Sequence, residues 1–139
     1  MKKIVLAMAS VVLVLGAAGC SSDYSTGLLG SGVSGSYNLQ TFNGSNLPAL
    51  FERTVASERD LVAETFTIYS DGTYTDDYRM RTIDANGSSD QTFRDTGTYQ
   101  QSNTALSFRD NASLSSFTGS ITGNTLTITQ FNDIYVFSR

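Results

Sequence analysis

Carboxylates are the side chains of this sequence best equipped for chemistry, because the chain has 13 aspartate and glutamate residues and no histidine. Glu64, Asp76 and Asp95 share strand parity with nearby aromatic residues in alternating runs typical of β-strands, and Gln130 does the same later in the chain. If a barrel preserves that parity, these side chains line a polar part of its interior. The alternative is that they lie at strand ends, where inward positions still reach water, or that a bulge reverses the register.

Two carboxylates that flank a cleft can hydrolyse a glycosidic bond, and a carboxylate-based hydrolase is the only enzyme class that this inventory readily permits. The sequence places no such pair on a substrate, so we expect a protein that is not an enzyme. A serine nucleophile would lack its histidine, and no Gly-x-Ser-x-Gly motif occurs. Zinc and copper sites are not expected without histidine, and the spacing around Asp71 and Asp76 does not match a calcium loop. We therefore predict no metal and no cofactor.

The first nineteen residues predict a signal peptide, 1–19. Lys2 and Lys3 precede an apolar run over 4–15, which is shorter than the roughly 20 residues of a membrane-spanning helix and suits a signal sequence. The run ends in Ala17-Ala18-Gly19-Cys20, which resembles the lipobox of bacterial lipoproteins. That resemblance implies cleavage before Cys20, the only cysteine, and acylation of Cys20 with palmitate-type chains. The alternatives are an uncleaved anchor helix, or an ordinary secretory signal in which Cys20 is incidental.

The residues after Cys20 predict where the protein is held. Ser21 and Ser22 stand where an aspartate would favour inner-membrane retention, so the resemblance implies an outer-membrane lipoprotein that faces the periplasm or the cell surface. The segment 20–35 is rich in glycine and serine, which predicts a flexible tether between the lipid and the folded domain. We therefore expect the membrane, contacted through the lipid, to be the first partner of this chain.

The charge of the chain limits its other partners. The formal net charge is −4 at pH 7, and loss of Lys2 and Lys3 with the signal peptide makes it more negative. An acidic surface repels nucleic acid phosphates, so we expect no nucleic acid partner. One cysteine, already assigned to the lipid, leaves no intrachain disulfide. We expect a monomer.

From residue 36 onward the sequence predicts an all-β domain, 36–139. Threonine, valine, isoleucine and aromatic residues form short alternating runs, separated by turn signals such as Asp71-Gly72 and Gly123-Asn124. The runs indicate about eight or nine consecutive antiparallel strands, including a doubtful one near 50–54. We expect a single up-and-down β-barrel, or a flattened barrel or sandwich, because closure removes exposed sheet edges. Only 47–63 could hold a helix, and there we expect a strand or irregular loop with at most one helical turn.

Several segments resemble the lipocalin-like domains of small bacterial lipoproteins. The segments are Gly35-Ser36-Tyr37-Asn38-Leu39, the hairpin from Phe66 to Tyr74, the repeat from Gly119 to Ile128, and Tyr135-Val136-Phe137-Ser138-Arg139. The resemblance implies a barrel that holds a small apolar ligand. It also implies that Arg139 stacks on Tyr37 across a closed end of the barrel; the alternative is that Arg139 is solvated.

The alternation assigns a set of aromatic residues to the barrel interior, and these are the predicted ligand-binding residues: Phe66, Tyr74, Tyr78, Phe93, Tyr99, Phe108 and Phe117. We expect a lipocalin-like binding module, anchored at the cell envelope, for a small apolar or amphipathic molecule. The alternative is a structural or protein-interaction lipoprotein whose barrel is filled with side chains, since eight strands suit either interior. The volume of the cavity distinguishes them, because ligand sites usually measure about 300–1,000 Å³.

Overall fold

The computed structural model of this chain describes residues 32–139; Cys20, the predicted signal peptide and most of the predicted tether lie outside the described residues. Within 32–139 the secondary structure is all β. The ten strands are β1 (Gly35–Phe42), β2 (Ser45–Asn46), β3 (Ala49–Arg53), β4 (Ser57–Ile68), β5 (Thr73–Asp84), β6 (Gly87–Ser102), β7 (Ala105–Asp110), β8 (Ser116–Thr122), β9 (Thr125–Gln130) and β10 (Asp133–Ser138).

Eight of these strands close into one antiparallel barrel. From β4 to β10 each strand pairs with the next, and β1 pairs with both β4 and β10, which closes the ring. The short strands β2 and β3 are additional and pair with β1 and β4 at the margin of the barrel. The predicted all-β barrel is therefore confirmed, and the segment 47–63 forms strands β3 and β4 around a turn.

Local sequence explains the tight turns between consecutive strands. Gly72 adopts a φ of 89°, a conformation that costs glycine little, and Asp71 Oδ1 accepts a hydrogen bond of 2.9 Å from the backbone N–H of Thr73. At the turn between β6 and β7, Asn103 has a φ of 55°, which asparagine tolerates better than most residues. These turns hold neighbouring strands in antiparallel register.

Two bulges change which residues face the interior. The pairing of β4 with β5 shifts between Leu61 and Ala63, so Leu61 and Glu64 are both buried although they lie three residues apart. The pairing of β1 with β10 shifts between Leu39 and Thr41 in the same way, and Leu39 and Phe42 are both buried. A bulge inserts one unpaired residue and thereby resets the alternation that follows.

Aromatic rings fill the middle of the barrel. The Phe66 ring stacks on Tyr74 at 4.8 Å between centroids and meets the edge of Phe108 at 5.2 Å, while Phe108 stacks on Phe117 at 4.9 Å. A Cβ atom at Gly97 would lie 2.5 Å from Tyr74 Cε1, so the glycine leaves room for this ring. The packed rings make this part of the interior solid.

One end of the barrel is closed by Tyr37 and Arg139. Tyr37 is fully buried and its hydroxyl donates a 2.8 Å hydrogen bond to the Val33 carbonyl, while the Arg139 guanidinium carbon lies 5.2 Å from the centre of the Tyr37 ring. Arg139 also donates hydrogen bonds to the carbonyls of Ser34, at 3.1 Å, and Gly32, at 2.7 Å. Val33, which lies in the predicted tether 20–35, is buried here, and its neighbours Gly32 and Ser34 accept the hydrogen bonds of Arg139.

Candidate functional site

A cavity of about 300 Å³ lies at the end of the barrel opposite to Arg139, since Asp133 at the start of β10 is one of its lining residues. Its apolar wall consists of Phe51, Leu61, Phe66, Met80, Phe117, Ile128 and Phe131. Its polar wall consists of Arg59, Glu64, Asp76, Asp95, Gln130 and Asp133, and the rings of Tyr78 and Tyr135 contribute to both. Phe131 is 78% exposed, so the cavity reaches the protein surface at this residue.

A second cavity of about 230 Å³ adjoins the first one. The two share Asp76, Asp95, Phe117, Gln130 and Phe131, and the second continues toward the loop between β7 and β8. In that loop Asp110 Oδ1 accepts hydrogen bonds from the backbone N–H groups of residues 112 and 113, so this carboxylate stabilises a turn. The hydrogen bond from the Ser113 hydroxyl lowers the pKa of Asp110 most, and these backbone bonds lower it further.

The strand register brings the three inward acids together. Asp76 on β5 lies directly opposite Asp95 on β6 and directly opposite Phe66 on β4. Glu64 on β4 lies opposite Tyr78 on β5, which places it on the next inward position along the same wall. Residues that are directly opposite in an antiparallel pair share a face, and like charges in such positions repel each other.

Burial and neighbouring negative charge raise the pKa values of Glu64 and Asp76. Glu64 is 8% exposed, and burial together with the neighbouring Asp76 raises its pKa well above the usual range of a glutamate. The pKa of Asp76 is also raised, mainly by burial and then by the charge of Asp95. Both shifts favour the protonated form of a carboxyl group in this pair.

Asp95 is exposed, in contrast to Glu64. Burial and the charge of Asp110 raise its pKa, while hydrogen bonding to the Tyr78 hydroxyl opposes that shift. The same surroundings raise the pKa of Tyr78 to about 12, first through burial of the ring and then through the charges of Asp95 and Asp76. The phenol therefore remains a neutral hydrogen-bond donor at physiological pH.

The inward acids lack a cationic partner within the part of the chain that the structure describes. The ion pairs of residues 32–139 join arginines to other acids: Arg53 to Glu58, Arg59 to Glu52, Arg79 and Arg81 to Asp90, and Arg94 to Asp77. Arg59 is the one basic lining residue of the larger cavity, and its Nη1 lies 3.5 Å from Glu52 Oε2. Asp76 Oδ1 is buried without a hydrogen-bond partner among the described residues.

The structure divides the predicted ligand-binding residues into three groups. Phe66, Tyr78 and Phe117 line the larger cavity, and Tyr74 lines the smaller one. Phe108 and Tyr99 belong to the solid core, where Tyr99 donates a 2.9 Å hydrogen bond to the Tyr69 carbonyl. Phe93 is half-buried and stacks on Tyr78 at 5.2 Å beyond the closed part of the barrel. Four of the seven predicted ligand-binding residues therefore line a cavity, and their contact with a ligand stays a prediction.

The structure also brings to the cavity several residues that sequence reasoning did not assign to it. Met80 shares the strand parity of Tyr74 and Tyr78, so alternation along β5 predicts its inward position. Leu61 faces the interior only because of the bulge in β4. Glu64 is buried and Asp76 lines the cavity beside it, in agreement with the parity argument, whereas Asp95 is exposed and Gln130 ends β9, as the strand-end alternative expected.

Within 32–139 no group of three or more histidine, cysteine, aspartate or glutamate residues has the geometry to hold a metal ion. The described region also contains no helix with the length and apolar character needed to cross a membrane. Comparison of the chain with protein-family models, with curated protein sequences and with solved structures gave no match.

Proposed function

We propose that this chain is a lipoprotein of the cell envelope whose lipocalin-like barrel binds a small amphipathic molecule. The molecule binds at the end of the barrel opposite to Arg139, here called the open end. The observation that supports binding is the cavity of about 300 Å³ with aromatic walls, which reaches the surface beside Phe131. Its volume lies at the lower limit of the usual range for ligand sites, about 300–1,000 Å³, so the ligand is small. Attachment through a lipid on Cys20, at the outer membrane facing the periplasm or the cell surface, is part of the same proposal.

The polar wall argues against a purely apolar ligand. An apolar molecule that fills the cavity would remove Glu64 and Asp76 further from water without supplying a hydrogen-bond partner, which is unfavourable for buried polar groups. A molecule with one polar end avoids this cost, since its apolar part contacts the aromatic wall while its polar end meets the acids. The expectation is therefore an amphipathic ligand rather than an apolar one.

The convergence of acids in one cavity also bears on the hydrolase alternative. Glycosidases hold their two carboxyl groups about 5–9.5 Å apart, with the sugar or a water between them. Glu64 and Asp76 are within hydrogen-bonding reach of each other, so this pair leaves no such space. The arrangement supports binding better than glycoside hydrolysis.

Binding is tested with 4-phenylbutan-1-ol, a neutral amphiphile, and the chain from Ser21 onward. The described residues contain the complete closed barrel and its aromatic core, so we expect this part to fold without the signal segment. We expect saturable binding by calorimetry and its loss in Gln130→Trp, where the indole fills the cavity. Thr129→Trp, on the exposed neighbouring position, is the matched control.

Absence of saturable binding would support the alternative of a structural or protein-interaction lipoprotein, which the solid middle of the barrel also suits. The anchor has a separate test in cells. Metabolic labelling with an alkyne fatty acid is expected to mark the full chain in the membrane fraction, and Cys20→Ser is expected to abolish the label. A labelled Cys20→Ser protein would refute attachment at this residue.

A further inference from the structure

We propose that the ligand of the open-end cavity is a monocationic amphiphile, whose protonated amine binds between Glu64 and Asp76 while its apolar part contacts the aromatic wall. The inference rests on the proposed function and specifies the chemical class of its ligand. It depends on the placement of the two acids, on their missing partners and on the character of the wall opposite to them.

The charges around the cavity are strongly one-sided. Five acids line the two adjoining cavities, namely Glu64, Asp76, Asp95, Asp110 and Asp133, and they face a single basic side chain, Arg59. Arg59 is paired with Glu52 at 3.5 Å, and Asp110 is satisfied by its own turn. An anionic ligand would therefore meet repulsion on most sides, whereas a cation would meet attraction.

The burial of Glu64 and of Asp76 Oδ1 gives a more specific argument for a cationic ligand. Glu64 is more than nine-tenths buried and lines the cavity, although buried carboxylates in proteins are usually paired with a cation. Asp76 Oδ1 is inaccessible and has no hydrogen-bond partner in the region 32–139. Ionised carboxylates only accept hydrogen bonds, so this pair needs a donor. An ammonium group has three donors and can serve both acids at once.

The apolar wall fits the rest of such a molecule. Phe66 and Phe117 are buried rings that border the cavity, and Tyr78 and Tyr135 present ring surface together with neutral hydroxyls. Aromatic faces attract a cation within about 6 Å of the ring centre, so they favour an amine beside the acids as well as an apolar group beyond it. The cavity thus combines an acidic end and an aromatic wall within about 300 Å³.

Binding of the cation displaces a proton. Burial and neighbouring acids raise the pKa values of Glu64 and Asp76, so we expect the free pair to share a proton, and the incoming ammonium brings its own charge and donors to the same place. The shared proton then leaves to the buffer, both carboxylates are charged, and the ligand remains protonated. Calorimetry in two buffers of different ionisation enthalpy measures this release, because the apparent heat then differs between them.

Three ligands of similar shape but different charge separate the effect of charge on affinity from the effect of shape: 4-phenylbutylamine, 4-phenylbutan-1-ol and 4-phenylbutyrate. We expect the amine to bind the chain from Ser21 onward at pH 7 about tenfold or more tightly than the alcohol, as charge-assisted hydrogen bonds do, and the carboxylate to bind most weakly. Equal affinity of amine and alcohol would overturn the cation inference and leave the proposed function standing. Absence of binding by all three would overturn both. Displacement of the amine by excess calcium chloride would also overturn the inference in favour of a metal site.

Two isosteric variants test whether Glu64 and Asp76 are the residues that bind the amine. Glu64→Gln and Asp76→Asn are each expected to reduce amine affinity about tenfold while alcohol affinity changes little, and Glu64→Gln is expected to abolish proton release. Asp60→Asn is the matched control, because Asp60 lies between the cavity residues Arg59 and Leu61 on the opposite face of β4 and carries the same charge. An equal loss of amine affinity in Asp60→Asn would show that the overall negative charge, not this pair, attracts the amine, and would refute the assigned site. If a cavity variant fails to fold, the comparison of the three ligands on the unmodified chain still decides the inference.

Discussion

Replacing Arg139 with alanine removes three contacts that close one end of the barrel. The guanidinium lies over Tyr37 at 5.2 Å, and its nitrogens donate to the carbonyls of Ser34 and Gly32. An exposed cation–π contact contributes roughly 0.5–1 kcal/mol and each hydrogen bond roughly 0.5–1.5 kcal/mol. Allowing for the solvent exposure of Arg139, we expect a loss of about 2 kcal/mol in the free energy of unfolding.

For a domain of this size, a change of about 2 kcal/mol corresponds to a decrease of about 8 °C in Tm. Thermal unfolding followed by circular dichroism measures this decrease on the chain from Ser21 onward. Arg139→Lys is the informative control, because a lysine keeps the charge near Tyr37 but cannot bond both carbonyls with one planar group. We expect it to recover less than half of the loss. An unchanged Tm in Arg139→Ala would refute the assignment of Arg139 as a closing residue.

Three further predictions test the packing and the acids. Gly97→Ala is expected to cost about 1–3 kcal/mol, because its methyl group would overlap the backbone carbonyl of Arg109 and the Tyr74 ring. Gly32→Ala meets open space and is expected to be neutral in chemical denaturation. Phe108→Ala removes the centre of the aromatic core and is expected to cost about 3–5 kcal/mol by the same assay. Folded-state pKa values of Glu64 and Asp76 lie above their unfolded values, so stability is fully present below about pH 4 and falls as pH rises through the folded values. Glu64→Gln is expected to flatten this decline in urea titrations from pH 4 to 8, a range that includes the pKa of about 7 for Asp76; a decline of unchanged size would contradict the role given to Glu64.

Much of the fold follows from short-range patterns in the sequence. Alternation over 65–69 and 73–81, with Asp71-Gly72 between them, predicts the β4–β5 hairpin, because side-chain period and turn chemistry are local properties. The same alternation places Asp76 on the inward face with Tyr74 and Tyr78. Local patterns therefore predicted which side chains share a wall.

Features that depend on distant pairing could not be predicted in the same way. Closure of the barrel rests on β1 pairing with both β4 and β10, and no local signal specifies that arrangement. The bulge near Val62 turns Leu61 inward against the simple alternation. Pairing of β6 with β7 begins only at Gly97, so Phe93 lies where the β5–β6 ribbon extends past the barrel, although its parity is that of an interior residue.

The position of the cavity could not be predicted from the sequence either. Whether a barrel is filled or hollow depends on how ring volumes pack in three dimensions, and here Phe66, Tyr74 and Phe108 fill the middle. At the open end the lining includes Glu64, Asp76 and Asp95 beside the aromatic rings, and a cavity of about 300 Å³ remains there. The interior is thus solid at its centre and hollow at one end, an arrangement intermediate between the two predicted alternatives.

The most direct test of the central claim is to map where an amphiphile binds. Titration of isotope-labelled chain from Ser21 onward with 4-phenylbutan-1-ol, followed by amide NMR, reports on each strand separately. We predict saturable shifts at Tyr78, Phe117 and Gln130, which border the open-end cavity, and unchanged signals at Tyr37 and Gly123 at the other end. Shifts confined to the Tyr37 end, or no saturable shifts at all, would contradict a ligand site in the open end of this barrel.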